Sequence, residues 1–110
     1  MRLKEGVKLN GIRPELQIGL MVCDSVYRQR GLELVITSCA DGSHKAESLH
    51  YKGLAADLRL PSRSGEGVPF AADAKAEDAA TVAAIRDGVG PDFDVVLERD
   101  HIHLEWNQEQ

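Results

Sequence analysis

Residues 101–106, His-Ile-His-Leu-Glu-Trp, constrain the fold of this chain more than any other run. Apolar and ionisable residues alternate without a break. A period of two is that of a β-strand, in which successive side chains point to opposite faces. Ile102, Leu104 and Trp106 then share one face, and His101, His103 and Glu105 share the other. A one-residue slip would send the whole apolar set to the wrong side. The chain therefore has to build a sheet with one face against a core and the other carrying three ionisable groups.

The remaining elements follow from the same kind of pattern. Pro14-Glu15 suits a helix first turn, and Leu16, Leu20, Cys23 and Tyr27 recur at helical steps up to Gly31, predicting a helix over 14–30. Leu32 to Thr37 reads as a buried strand, followed by a polar loop from Ser38 to Glu47. Ala55 to Leu60 alternates, with Ala56, Leu58 and Leu60 on one side and Ala55, Asp57 and Arg59 on the other. Pro61 to Lys75 holds two glycines, two prolines and two serines, and is expected to be an exposed excursion. Glu77 to Asp87 is helix-like and ends around Gly88 to Pro91, and Phe93 to Leu97 pairs with His101 to Trp106 through a tight turn at Arg99-Asp100.

These elements predict an α+β fold, with helices packed on a small, mainly antiparallel sheet. At 110 residues the chain is expected to be one domain, spanning 1–110, with a single modest core. The 43% hydrophobic and 28% charged fractions are those of a folded domain and argue against disorder and membrane spans. Thirteen basic against eighteen acidic residues leave a net charge of −5, which works against binding nucleic acid. MRLKEGVKLNG carries charge but no apolar h-region, so synthesis in the cytoplasm without a signal peptide is expected. Cys23 and Cys39 then read as reduced thiols, one packed in a helix and one in a loop.

The ionisable face has a chemical reading. A catalytic zinc site uses three protein ligands drawn from imidazole, thiolate and carboxylate, and keeps a further position for water. Asp57 falls on the polar face of its own strand. If that strand neighbours 101–106, Asp57 and His103 come within reach of one ion while His50 approaches from the preceding loop. Water held there loses a proton near neutral pH, and hydrolysis also needs a base close by. Glu98 and Asp100, five and three residues before His103, are the candidates. Glu105, beside the histidines, is placed to orient His103.

Ser48-Leu49-His50-Tyr51-Lys52-Gly53-Leu54-Ala55-Ala56-Asp57 and His101-Ile102-His103 resemble the S-x-H-x-x-G-x-A-x-D and H-x-H signatures of the LAS metallopeptidases. That group takes in lysostaphin-type enzymes, zinc D-Ala-D-Ala carboxypeptidases and the hedgehog signalling domain. The likeness is nearer to the carboxypeptidase branch, with its small phage-encoded peptidoglycan peptidases, and covers roughly residues 35–105. It implies a hedgehog/DD-peptidase-like fold and Zn2+ held by His50, Asp57 and His103. His101 would stabilise the charged intermediate, and Glu98 or Asp100 would act as base. The implied activity is hydrolysis of peptide bonds in peptidoglycan stem peptides or cross-links. The implied protein is a phage- or prophage-derived monomer, released to the wall or carried on a virion.

One departure bears on the substrate. Many relatives carry T-S-G-Y-R before the first motif, the arginine binding the substrate carboxylate. Here the run is Thr37-Ser38-Cys39-Ala40-Asp41, so an acid stands in the arginine's place. His44, Lys45, Lys52 and Arg59 are the cations left to replace it, and an endopeptidase would not need one. The alternative from another class is a zinc-binding module that no longer catalyses.

Overall fold

The computed structural model describes residues 1–39, 53–63 and 71–107. Among these residues five strands form one mixed sheet in the order β1-β2-β3-β5-β4, and two helices pack on it. The strands are β1 (Arg2–Leu3), β2 (Val35–Ser38), β3 (Ala55–Arg59), β4 (Phe93–Leu97) and β5 (His101–Trp106). The helices are α1 (Pro14–Gln29) and α2 (Ala71–Val89). Among the described residues only the β1–β2 pair is parallel, as the α1 crossover between them requires; the other pairs are antiparallel. The α+β architecture expected from the sequence is the one observed.

α1 runs almost over the predicted span. Pro14 opens it, and a Schellman motif closes it: Gly31 (φ 74°) N–H donates to Arg28 O at 3.0 Å, and Leu32 N–H to Tyr27 O at 2.8 Å. That closure corrects the expected strand at 32–37. Leu32 is used up capping the helix, so β2 begins only at Val35.

The excursion expected from Pro61 to Lys75 is corrected at its two ends, and residues 64–70 of it lie outside the described residues. Pro61–Arg63 form a short 3-10 turn in which Pro61 and Ser62 are buried. Asp78 holds this turn, accepting from Ser62 N–H and from Ser62 Oγ–H, both at 2.9 Å. The helix expected over 77–87 starts earlier, at Ala71, because the Ala-rich run Ala71-Ala72-Asp73-Ala74-Lys75-Ala76 carries strong helix propensity. It ends one residue before Gly90 (φ 80°), whose N–H donates to Arg86 O. β1 was not anticipated, since two residues are too few to show a period.

The core lies between the helices and one face of the sheet. Leu16, Leu20, Cys23 and Tyr27 of α1 and Val82 and Ile85 of α2 meet Ile36, Ala56, Leu58, Val95, Ile102 and Leu104. Ile102 and Leu104 are fully buried, each contributing about 1.5–3 kcal/mol against leaving the side chain in water. Burying that pair fixes the phase of β5, which puts His101, His103 and Glu105 on the face away from the helices. Among the described residues, no helix is long and apolar enough to cross a membrane.

Candidate metal centre

β3 and β5 lie side by side in the register Ala55↔Glu105, Asp57↔His103 and Arg59↔His101. Residues directly opposite across an antiparallel pair share a face. Asp57, His103 and His101 therefore converge, as the alternation of the two segments predicted for Asp57 and His103. β4 extends this face, setting Val96 opposite His103 and Asp94 opposite Glu105. Beyond the end of β4, Glu98 N–H donates to His101 O at 2.9 Å, which places Glu98 across from His101.

Two local features hold β3 in place. On β2 the register steps from Ile36 to Ser38 while β3 moves only from Leu58 to Asp57, so Thr37 is the extra residue of a bulge. Its hydroxyl donates to Asp57 O at 3.3 Å. From the core side, the buried Tyr27 hydroxyl donates to Arg59 O at 2.7 Å.

Just ahead of β3, Gly53 has φ 73°, and its O accepts from Arg13 N–H at 2.9 Å. A Cβ there would run into the backbone of Gly11 and Ile12. Only glycine permits both that conformation and that approach.

The side-chain geometry centres on Asp57 Oδ1. His103 Nδ1 lies 2.9 Å from it and His101 Nε2 lies 3.5 Å away. The far nitrogen of each ring is also gripped by a carboxylate: His103 Nε2 by Glu105 Oε1 at 2.7 Å, and His101 Nδ1 by Asp100 Oδ1 at 2.7 Å. Carboxylates only accept, so His103 donates from both nitrogens and carries a positive charge in this arrangement. The Asp57 hydrogen bond raises the His103 pKa above its ordinary value, with help from Glu105, and outweighs the opposing effect of partial burial. The hydrogen bond from His101 lowers that of the exposed Asp100.

Asp57, His101 and His103 each offer one ligand atom within 4.8 Å of the others, so this partly buried group can hold a metal ion. A carboxylate oxygen and imidazole nitrogens suit zinc and related divalent ions. A cation would take the place of the proton on His103 Nδ1 that now satisfies Asp57, which is why the donor set fits.

His50, the third ligand implied by the resemblance, lies outside the described residues, as do Ser48, His44, Lys45 and Lys52. Of the cations weighed for the substrate carboxylate, Arg59 is described, and its register sets it beside His101. Asp100 was considered as a base, and its hold on His101 was not foreseen. The adjacent Asp-His pair at the start of an alternating strand was the available signal. Glu98 is exposed at the hairpin end. Both cysteines are buried.

No protein-family model matches this chain, and no curated protein or solved structure does either.

Proposed function

We propose that this protein is a zinc-dependent peptidase that cleaves peptide bonds in peptidoglycan stem peptides or cross-links. The observation that carries the reading is the convergence of His103 Nδ1 and His101 Nε2 on Asp57 Oδ1 from two neighbouring strands. The substrate class comes from the resemblance of residues 48–57 and 101–103 to the LAS metallopeptidases. The hedgehog/DD-peptidase-like form of the α+β fold is part of the same proposal.

Asp57 and His103 are ligands in this reading, with His50 completing the set. Zinc bound there supplies Lewis acidity and water whose pKa is lowered to about 7. The chain's own residues divide the proton work. Glu98 accepts a proton from the attacking water and returns it to the leaving amine. It is preferred to Asp100 because Asp100 Oδ1 already accepts from His101 Nδ1. That bond leaves His101 Nε2 facing Asp57, and as an imidazolium, donating from both nitrogens, His101 would stabilise the oxyanion that forms on the substrate carbonyl. Arg59, opposite His101 in register, would meet a substrate carboxylate in this reading. The wall is reached after release from the cell or from a virion.

A second reading of the ligand set has an observation in its favour. His101 Nε2 lies within 3.5 Å of Asp57 Oδ1, so His101 can stand where His50 does. The function is tested by turbidity of purified cell walls with the zinc-loaded protein. Clearing that is abolished by a chelator and restored by zinc supports a peptidase. Bound zinc without clearing leaves a metal-binding module.

A further inference from the structure

We infer that Glu105 is a positioning residue that fixes His103 in the tautomer needed for metal binding. The inference rests on the proposed metal site and adds a residue to its machinery. His103 has two nitrogens and two carboxylate partners, at 2.9 Å (Asp57, on Nδ1) and 2.7 Å (Glu105, on Nε2). Asp57 belongs to the cation-holding group and Glu105 does not. When a cation replaces the proton between Asp57 and Nδ1, the Nε2–H bond to Glu105 can persist. It keeps the lone pair on Nδ1 and stops the ring from turning. A carboxylate behind a ligating imidazole also raises its basicity toward the metal.

The placement of Glu105 is informative apart from this hydrogen bond. Its neighbours in register are Ala55 on β3 and Asp94 on β4. A carboxylate directly across from another carboxylate is destabilising in a sheet. Strand pairing alone thus disfavours an acid at this position, whereas a half-buried imidazole needing an acceptor at Nε2 favours one.

The test is zinc titration of the full chain by calorimetry, with the wild type beside Glu105→Ala, Glu105→Gln and Glu105→Asp. Imidazole 15N shifts of His103 are recorded on the same samples before metal is added, at a pH high enough for the ring to be neutral. Glu105→Ala is expected to bind zinc roughly 10–100-fold more weakly. It should also lose the bias of the neutral ring toward Nε2–H. Glu105→Gln keeps an acceptor oxygen and is expected to recover much of both. If the wild type binds zinc and Glu105→Ala binds it equally well, with the His103 tautomer unchanged, the inference is overturned while the metal site stands. If the wild type binds no zinc, both are overturned. Should the alanine variant fail to fold, an unchanged tautomer and affinity in Glu105→Asp, whose shorter side chain cannot reach Nε2 from the same backbone, would overturn it equally.

Discussion

Asp57 and His103 are exact cross-strand partners, and their Oδ1 and Nδ1 atoms lie 2.9 Å apart on the side of the sheet away from the helices. Forty-six residues separate them in the chain, and the pairing of β3 with β5 brings them together. The contact is part of the sheet register. It survives as long as Leu58, Ile102 and Leu104 stay in the core.

Removing either partner should therefore abolish the site without unfolding the protein. Asp57→Asn keeps the shape of the side chain and loses the charge. Its zinc affinity is expected to fall further than the roughly 10–100-fold that follows loss of an orienting partner. Equilibrium dialysis checks this, with circular dichroism confirming the fold.

The two histidines weighed as third donor separate by variant. His50→Ala is expected to lose zinc. His101→Ala is expected to keep zinc and lose wall clearing, because in the proposed function its imidazole serves the substrate and not the metal. Metal analysis of both proteins after desalting decides the matter, and the reverse pattern would assign the ligand to His101.

The charge on His103 predicts a pH dependence for the metal-free protein. Its folded pKa is raised, first by the hydrogen bond to Asp57, so folding favours the protonated ring. The stabilisation is fully present below about pH 6.5, where the unfolded imidazole is also protonated, and is lost as pH rises through the higher folded value. Urea melts of wild type and His103→Gln across that range should show the gap between them shrinking as pH rises. A gap that is constant or grows would contradict the assignment.

Tyr27 ties α1 to the strand that carries Asp57, through the bond to Arg59 O. Tyr27→Phe leaves that buried carbonyl without its donor and should cost about 1–3 kcal/mol in urea denaturation. Zinc affinity of the folded variant should be close to that of the wild type, since no ligand atom is touched.

Burial pushes the Cys23 thiol up to about 12, with a further push from Asp24. The thiolate is the reactive form. Alkylation in native buffer at neutral pH should be slow at Cys23, and both cysteines should react in denaturant. Mass spectrometry after a timed quench reads this out, and a missing second thiol would mean a disulfide.

The parts of this molecule that the sequence made legible are those with a sustained period. His101 to Trp106 and Ala55 to Arg59 alternate, so their strand state, buried face and ionisable face could all be read, and with them the Asp57–His103 pair. α1 was read from a 3.6-residue repeat with Pro14 at one end and Gly31 at the other. What escaped depends on tertiary partners. The turn at Pro61–Arg63 looks like a loop until Asp78 is seen to hold Ser62. β1 exists because β2 is there to pair with it. Asp100 was read as a candidate base because sequence spacing does not reveal that His101 Nδ1 claims its carboxylate.

The most direct test of the account is mass spectrometry of purified peptidoglycan digested by the zinc-loaded protein, with a His103→Ala digest alongside. The account predicts wild-type fragments cut at stem-peptide or cross-link bonds, either releasing D-Ala or exposing a new internal amino terminus, and none in the variant. A zinc-bound wild-type protein that leaves the fragment pattern unchanged would contradict it.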